Sequence, residues 1–271
     1  MSAKDYTVPA LQKGLKILEM FDSQCRTLSQ VEMAQRLEVS SSSLYRIVQT
    51  LTAMGYLNKI GTNTYTLGSQ VVSRGFSYLG SREIVEVAAP LITELRDNTS
   101  LSSHIGIRDG VEVLYVFRAL ALQRVSVNVP VGTRFPLHTT AMGRALLMGM
   151  PPADLQSLFQ GQRLDGYPKP APQTMPELLT LCEKEHSQGW NMHYSDYSTA
   201  LAVPLRNFTG QVIAAINISG PDPVMSSPGD QEILLGQLKL TAKKIMRRFR
   251  WCVIKNDEPS LKLALKNRGQ I

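Results

Sequence analysis

The sequence predicts an α+β protein with two parts. A winged helix-turn-helix unit comes first, and a larger domain with an antiparallel sheet flanked by helices follows. Apolar residues recur at helical spacing through most of the first hundred positions, and from Leu101 onward they alternate with a period of two. A chain of 271 residues with 43% hydrophobic content is long enough for two such domains.

The first unit opens with two helices. The first helix carries an apolar stripe that we expect to pack on the helices after it: Leu11, Leu15, Leu18, Ile17 and Phe21. Ser29 and Glu32 have the spacing of a capping box, in which each side chain bonds to the backbone amide of the other residue. The second helix is therefore predicted to begin near Val31.

The next helix has one apolar face and one polar face. Its apolar positions follow the i, i+3, i+4, i+7 pattern: Leu44, Ile47, Val48 and Leu51. Hydroxyl, phenol, guanidinium and amide groups on the other side suit phosphate oxygens and base edges in the major groove. We expect double-stranded DNA to contact Tyr45 and Arg46 principally, with Ser42, Ser43 and Gln49 in support.

A hairpin follows this helix directly. Two short apolar strands between Tyr56 and Gly68 flank the turn at residues 61–63. After a recognition helix, such a hairpin is typical of a wing, and Lys59 near its tip is predicted to contact a phosphate. A hairpin that only completes a small core is compatible with the same residues.

The remaining chain predicts a connecting helix and an α+β domain. Asp109-Gly110 is a strong hairpin signal between its first two strands. The predicted strands are Ser102–Ile107, Val111–Phe117, Val125–Val129, Leu201–Arg206 and Gln211–Ser219. The predicted helices are Arg82–Asp97, Thr139–Met148, Pro152–Phe159, Pro176–Gln188 and Asp230 to about Trp251. We therefore divide the chain into residues 1–68, 69–81, 82–252 and a basic tail at 253–271.

The net charge of +7 arises at the C-terminus. Residues 241–271 carry nine Lys or Arg against two acids, and the rest of the chain is balanced. A basic cluster there fits the solvated last turns of a helix, whose dipole favours cations. A C-terminal arm that contacts the DNA backbone without sequence preference would show the same pattern.

Neither catalytic nor metal-binding motifs occur in the sequence. There is no GxSxG, HExxH, P-loop or GxGxxG pattern, and the four histidines lack ligand spacing. Cys25, Cys182 and Cys252 are far apart and odd in number, which fits a reducing compartment. No apolar run approaches the ~18 residues of a membrane span. We expect a soluble cytoplasmic protein with no cofactor and no metal.

One predicted strand becomes polar on one face. In Val212–Ser219, Ile213 and Ala215 share a face with Asn217 and Ser219. A buried amide or hydroxyl without a partner costs on the order of 1 to 3 kcal/mol. These two groups are therefore bonded to neighbouring backbone or to a ligand, and small-molecule pockets are mostly apolar with a few such groups.

This order of elements resembles the IclR family of bacterial transcription regulators over about Pro9 to Trp251. The matching stretches are Ala10–Leu18, Ser42–Leu51, Gly55–Leu57, Tyr65–Gly68, Phe135–Leu147, Ala202–Pro204 and Ala214–Pro221. The resemblance implies a GAF-like second domain that binds a small organic effector, often a carboxylate or an aromatic catabolite. It also implies a homodimer, or a tetramer built from dimers.

The resemblance further implies which residues contact the effector. They are Phe135, Ala141, Met142, His193, Ala200, Asn217 and Ser219. The chain departs from the family pattern at Ser41, where Lys or Arg is frequent, and at Ala200, where Cys or Ser is common. The acidic loop and glycine that precede that position in the family are replaced here by the shorter segment at residues 192–197. His193 together with Arg118 would make the site receptive to an anion.

We therefore expect a ligand-responsive, sequence-specific regulator that binds operator DNA, and not an enzyme. Two other classes stay open from the sequence. One is an enzyme that the first domain only localises. The other is a DNA-binding interaction module whose sheet holds no small molecule.

Overall fold

The computed structural model describes residues 6–22, 24–80, 83–195, 197–207 and 209–266, with side chains described up to residue 249. The chain divides between residues 81 and 82 into two compact units. We call them the first unit and the second unit. The α+β class predicted from the sequence is confirmed.

The first unit runs in the order α1 (Pro9–Glu19), β1 (Leu28–Ser29), α2 (Gln30–Leu37), α3 (Ser41–Ala53), β2 (Leu57–Lys59), β3 (Thr64–Leu67) and α4 (Ser69–Gly80). The strands form an antiparallel sheet in the order β1-β3-β2. The predicted hairpin is thus confirmed. The short strand β1, which the sequence did not predict, pairs with it through Leu28 and Tyr65.

The start of α2 shows the predicted capping box. The Ser29 hydroxyl accepts from the Glu32 amide at 3.2 Å, and the Glu32 carboxylate accepts from the Ser29 amide at 2.7 Å. The predicted stripe on α1 is only partly right, because Ile17 is fully buried whereas Leu11 and Leu15 are 62% and 52% exposed. The side of α1 that carries Gly14 faces α3 closely, so the leucines lie beside the contact.

The second unit contains the other elements. In chain order they are α5 (Glu83–Thr99), β4 (Ser102–Asp109), β5 (Glu112–Ala119), β6 (Arg134–Pro136), a 3-10 helix (Leu137–Thr139), α6 (Ala141–Leu147), α7 (Pro152–Leu158), α8 (Met175–Gln188), β7 (Asn191–Ser195), β8 (Ser198–Arg206), β9 (Val212–Pro221), α9 (Asp222–Met225) and α10 (Pro228–Lys266). The strands form one antiparallel sheet in the order β6-β5-β4-β9-β8-β7.

Both faces of this sheet are covered. Residues of α6, α7 and α8 share a buried apolar cluster with Val113 and Tyr115 of β5 and with Ala202 and Ala215 of the central strands. On the other face, Ile216 and Ile218 of β9 are fully buried. Helices α5 and α10 pack against each other and against the sheet. The sheet is therefore the middle layer of the second unit.

The predicted strand at Val125–Val129 is wrong. The segment between β5 and β6 has no strand, and Val125 is 70% exposed. The edge of β5 pairs instead with β6, where Val113 lies opposite Phe135. The alternating valines form no strand pair, and Asn128 in this segment accepts a hydrogen bond from Arg118 of β5.

The last helix is longer than predicted. It continues past Trp251 to Lys266, and no glycine occurs between Gly236 and Gly269 to terminate it. Most of the predicted tail at 253–271 is therefore helical, while residues 267–271 lie outside the described residues. Within the basic cluster, Lys244 forms an ion pair with Glu94 of α5 at 2.9 Å. No helix in the described part of the chain has the length and apolar character to cross a membrane.

Gly143 holds α6 close to the segment before it. A Cβ at this position would overlap the backbone of Leu137, whereas a Cβ at Gly236 of α10 would meet nothing within 4 Å. We expect Gly143→Ala to lower the free energy of unfolding by roughly 1 to 3 kcal/mol, as overpacking does. Gly236→Ala is the matched control and should raise it slightly, by about 0.5 to 1 kcal/mol. Urea denaturation of both variants checks this, and equal effects would contradict it.

Candidate functional site

Helix α3 turns its polar side chains to solvent. The Ser40 hydroxyl caps its start by accepting from the Ser43 amide at 3.4 Å. Leu44 and Val48 are fully buried in the core of the first unit. The residues predicted to contact DNA on this helix are all exposed: Ser42, Ser43, Tyr45, Arg46 and Gln49. The structure therefore brings them together on the exposed side of one helix.

The exposed side of α3 carries a positive charge and no carboxylate. Arg46 supplies this charge, and α3 contains no Asp, Glu or Lys. Lys59 is exposed at the end of β2, beside the turn of the hairpin. Duplex DNA presents closely spaced phosphates, so a surface of this composition can approach it without repulsion between like charges.

In the second unit, polar residues collect on the sheet face that lies against α6, which we call the inner face. Directly opposed residues of antiparallel strands point to the same side. One row across the strands contains His193, Ala200, Ser219 and Ser102. The adjacent row contains Asn191, Ala202, Asn217, His104 and Arg118. In both rows an alanine separates two polar side chains, so the side chain between them is small.

A β-bulge decides which residues of β5 reach the inner face. The register shifts between Ile105 and Gly106, so that Tyr115 lies opposite Gly106 and Arg118 lies opposite His104. Simple alternation predicts Phe117 on the same face as Tyr115. That prediction is wrong, because the extra residue at the bulge reverses the alternation beyond it.

Aromatic and apolar groups border the two polar rows. The ring centroids of His104 and Tyr115 lie 5.5 Å apart and those of Tyr115 and Phe135 lie 5.8 Å apart, both edge to face. Met142 lies over Gly106, where a Cβ would overlap its sulfur. The residues predicted to contact an effector therefore all lie on or against the inner face: Phe135, Ala141, Met142, His193, Ala200, Asn217 and Ser219.

Three buried polar atoms of the inner face have no hydrogen-bond partner within the described residues: Nε2 of His104, the Ser219 hydroxyl and Oδ1 of Asn191. Nδ1 of His104 lies 2.9 Å from Oδ1 of Asn217, while Nε2 of the same ring is unpaired. The Ser219 hydroxyl is also buried without a partner. Leaving such a group unpaired costs about 1 to 3 kcal/mol. Because Nδ1 of His104 donates to the Asn217 oxygen, Nε2 of the neutral ring is an acceptor. A bound molecule with a donor for this nitrogen and a group that pairs with the Ser219 hydroxyl would recover that free energy.

Burial keeps the ionisable rings of this face neutral. It lowers the pKa of His104 to about 4, although the hydrogen bond that the ring donates to Oδ1 of Asn217 acts in the opposite direction, and the charge of Arg118 lowers it further. Burial, followed by the charge of Arg144, also lowers the pKa of His193 to about 4. For the phenol of Tyr115, burial raises the pKa well above its usual range. At neutral pH these rings offer hydrogen bonds without charge.

A buried ion pair lies at one end of the face. Nε of Arg144 donates to Glu185 of α8 at 2.8 Å, and both side chains are at most 5% exposed. The Asn191 amide donates to the same carboxylate at 3.3 Å and to the Ala141 carbonyl at 2.9 Å. Burial raises the pKa of Glu185, while the guanidinium of Arg144 acts in the opposite direction.

Sequence reasoning missed several residues of this face. They are His104, Tyr115, Arg144, Glu185 and Asn191. Strand β7 had a usable signal, since polar and apolar residues alternate along Asn191–Ser195. The buried side chains there are the polar ones, contrary to the usual pattern. Within the residues that the structure describes, no group of three His, Cys, Asp or Glu could hold a metal ion.

Two family models match the chain. The model described as IclR helix-turn-helix domain matches residues 10–61, and the model described as bacterial transcriptional regulator IclR C-terminal matches residues 76–247. The chain belongs to the IclR family. It is accordingly a DNA-binding transcriptional regulator with a C-terminal effector domain, and not an enzyme.

Individual members of the IclR family are similar over most of the chain. The HTH-type transcriptional regulator XynR of Escherichia coli K12 is 27% identical over 216 residues, which cover 78% of this chain and 86% of that protein. The Pca regulon regulatory protein of Pseudomonas putida is 28% identical over 214 residues, covering 78% and 73%. An IclR homologue of Microbacterium hydrocarbonoxydans, crystallised with 4-hydroxybenzoate, shares the fold with a TM-score of 0.77 at 21% identity, covering 89% of this chain and 99% of that one.

The buried neutral histidines predict a pH dependence of stability. The pKa of His104 is about 6.5 in the unfolded chain and about 4 in the folded protein, so between these pH values only the unfolded chain is protonated at this ring. The free energy of unfolding therefore falls as the pH drops through this window, by at most about 3 kcal/mol for this ring. We expect His104→Gln to have a shallower slope between pH 4.5 and about 6.5 than the wild type. Urea denaturation at several pH values measures this slope. His186→Gln, at an exposed position, is the control. Parallel slopes for the wild type and both variants would refute the assignment.

Proposed function

We propose that this regulator controls transcription in response to a small organic acid or aromatic catabolite bound on the inner face of its second unit. The single observation that carries the proposal is that buried polar atoms, among them His104 Nε2 and the Ser219 hydroxyl, lack partners on a face bordered by aromatic rings. A built apolar site with a few convergent polar groups is what small-molecule recognition requires.

The effector site we propose has polar and apolar parts. Asn217, Ser219 and His193 supply hydrogen bonds, and Arg118 at the end of the second row supplies positive charge. The walls are Phe135, Ala141, Met142 and Ala200. The Microbacterium homologue crystallised with 4-hydroxybenzoate supports this ligand class, because that molecule combines an aromatic ring with a carboxylate.

The DNA contacts we propose are on α3 and the hairpin. Arg46 and Tyr45 are the principal contacts, Ser42, Ser43 and Gln49 assist them, and Lys59 contacts a phosphate from the wing. Support comes from their exposure on a helix without acidic residues. A guanidinium in the major groove bonds to guanine with two hydrogen bonds, which gives sequence preference as well as affinity.

A homodimer, or a tetramer built from dimers, completes the proposal. Two copies would engage two half-sites whose spacing mirrors the symmetry of the protein. The effector changes DNA binding only if it binds one arrangement of the copies more tightly than the other, typically by about 1 to 3 kcal/mol.

Loss of Arg46 tests the DNA surface. A preferred duplex is first selected from a random-sequence pool with the wild-type protein. We expect Arg46→Ala to weaken binding to that duplex by about 1 to 3 kcal/mol and to reduce its preference over a scrambled duplex. Arg124→Ala removes the same charge from an exposed position in the second unit and serves as control. Unchanged affinity and preference for Arg46→Ala, with an intact fold, would remove this residue from the surface.

Loss of the Ser219 hydroxyl tests the effector site. Isothermal titration would use 4-hydroxybenzoate, benzoate and the neutral 4-hydroxybenzamide. Because a hydrogen bond to a charged group contributes about 1.5 to 3 kcal/mol, Ser219→Ala should weaken acid binding about tenfold or more. Ser103→Ala is the matched control, since this buried serine neighbours Ile218 on the opposite face of the sheet. Equal losses in both variants, or equal affinity for the acid and its amide, would contradict the site.

A further inference from the structure

Arg144 is a buried charge in direct contact with a residue of the proposed effector site. Its side chain is 3% exposed. Nε donates to Glu185 at 2.8 Å and Nη2 donates to the Met192 carbonyl at 3.2 Å, so the guanidinium is held from α8 and from β7. Its remaining nitrogen, Nη1, lies 3.3 Å from Nδ1 of His193.

The chemistry of the guanidinium determines the state of the ring. Arginine has hydrogen-bond donors and no acceptor. Nδ1 of His193 must therefore accept the bond from Arg144. A neutral imidazole that accepts at Nδ1 carries its proton on Nε2. The other end of the ring is thus an N–H donor.

We propose that Arg144, held by Glu185, is the positioning residue that keeps His193 as the neutral Nε2–H tautomer, so that the effector site presents a fixed donor to an acceptor group of its ligand. The proposal deepens the proposed function of the same site and rests on it for the nature of the ligand. A carboxylate fits such a donor, because it accepts and cannot donate. The positive charge of Arg144 lies directly behind the ring.

The groups that face His193 agree with this assignment. Helix α6 contributes Arg144, and Glu185 of α8 reaches the ring only through that guanidinium. Ala200 lies opposite on β8, and Asn191 is the uncharged neighbour on the same face of β7. No carboxylate of a described residue hydrogen-bonds to the ring and would favour its protonated form. Burial and the charge of Arg144 lower the pKa of His193 to about 4.

Nitrogen NMR of the full-length protein tests the assignment without a ligand. Long-range proton–nitrogen correlations distinguish the two tautomers and the protonated ring, and the chain has only four histidines to assign. His193→Gln identifies the signal by its loss. We expect the Nε2–H form with no protonation between about pH 5 and 8. A proton on Nδ1, or a midpoint near the ordinary value of ~6.5, overturns the proposal.

Substitution of the ion pair tests the role of Arg144 itself. The double variant Arg144→Gln, Glu185→Gln removes both charges and leaves no unpaired one. We expect the His193 midpoint to rise from about 4 but to stay below its ordinary value of ~6.5, because burial, the larger cause of the lowered pKa, remains. Both tautomers should then be populated. Arg144→Lys keeps a charged donor and should restore the Nε2–H form. If the double variant does not fold, the tautomer of His193 is compared between Arg144→Lys and the wild type. A proton on Nδ1 of His193 in the lysine variant counts against the proposal. An unchanged ring in the double variant also overturns it.

Titration with 4-hydroxybenzoate separates this inference from the proposed function. In the wild type, affinity should be independent of His193 protonation between about pH 5.5 and 7.5, whereas in the double variant binding should tighten as the pH falls. Absence of acid binding in a protein with the Nε2–H ring would refute the proposed ligand class and leave the positioning by Arg144 intact.

Discussion

The second unit depends on the burial of polar side chains between its sheet and α6. Asn191, Asn217, Ser219 and His104 are all at most 4% exposed, so each must find a partner or destabilise the fold. Asn191 bonds to α6 and α8, and Asn217 bonds to His104. Because the side chains of Ala200 and Ala202 are small, no large apolar side chain lies between these polar groups within the two rows. This combination places hydrogen-bonding groups where a plain apolar core would otherwise form, at the face that we propose as the effector site.

Local patterns allowed much of the fold to be predicted from the sequence. The capping box at Ser29 and Glu32 and the two faces of α3 need only neighbours a few residues away. The Asp109-Gly110 turn likewise sets the pairing of β4 with β5. Asn217 and Ser219 were found because they interrupt the apolar side of a strongly alternating strand. In each case the relevant physics lies within one element or one turn.

Features that depend on partners distant in the chain could not be predicted in this way. Val125–Val129 has the alternation of a strand, but the strand that pairs with β5 is β6, at Glu112–Leu114. In β7 the polar side chains are the buried ones, because Glu185 and the Ala141 carbonyl are there to receive Asn191. The bulge beside Gly106 moves Arg118 to the inner face. Each of these outcomes depends on which strand or helix arrives next to the residue.

The unpartnered atoms of the inner face also explain how a ligand could act on this fold. Without a ligand, His104 Nε2 and the Ser219 hydroxyl each cost the folded unit about 1 to 3 kcal/mol. A ligand that pairs with both atoms removes this free-energy cost only when β4 and β9 hold His104 and Ser219 close together. Its binding free energy therefore differs between arrangements of the sheet, and such a difference is the condition for any effector to shift an equilibrium. A purely apolar site would bind a ligand but would discriminate less sharply between arrangements of the sheet, because dispersion contacts tolerate small displacements better than hydrogen bonds do.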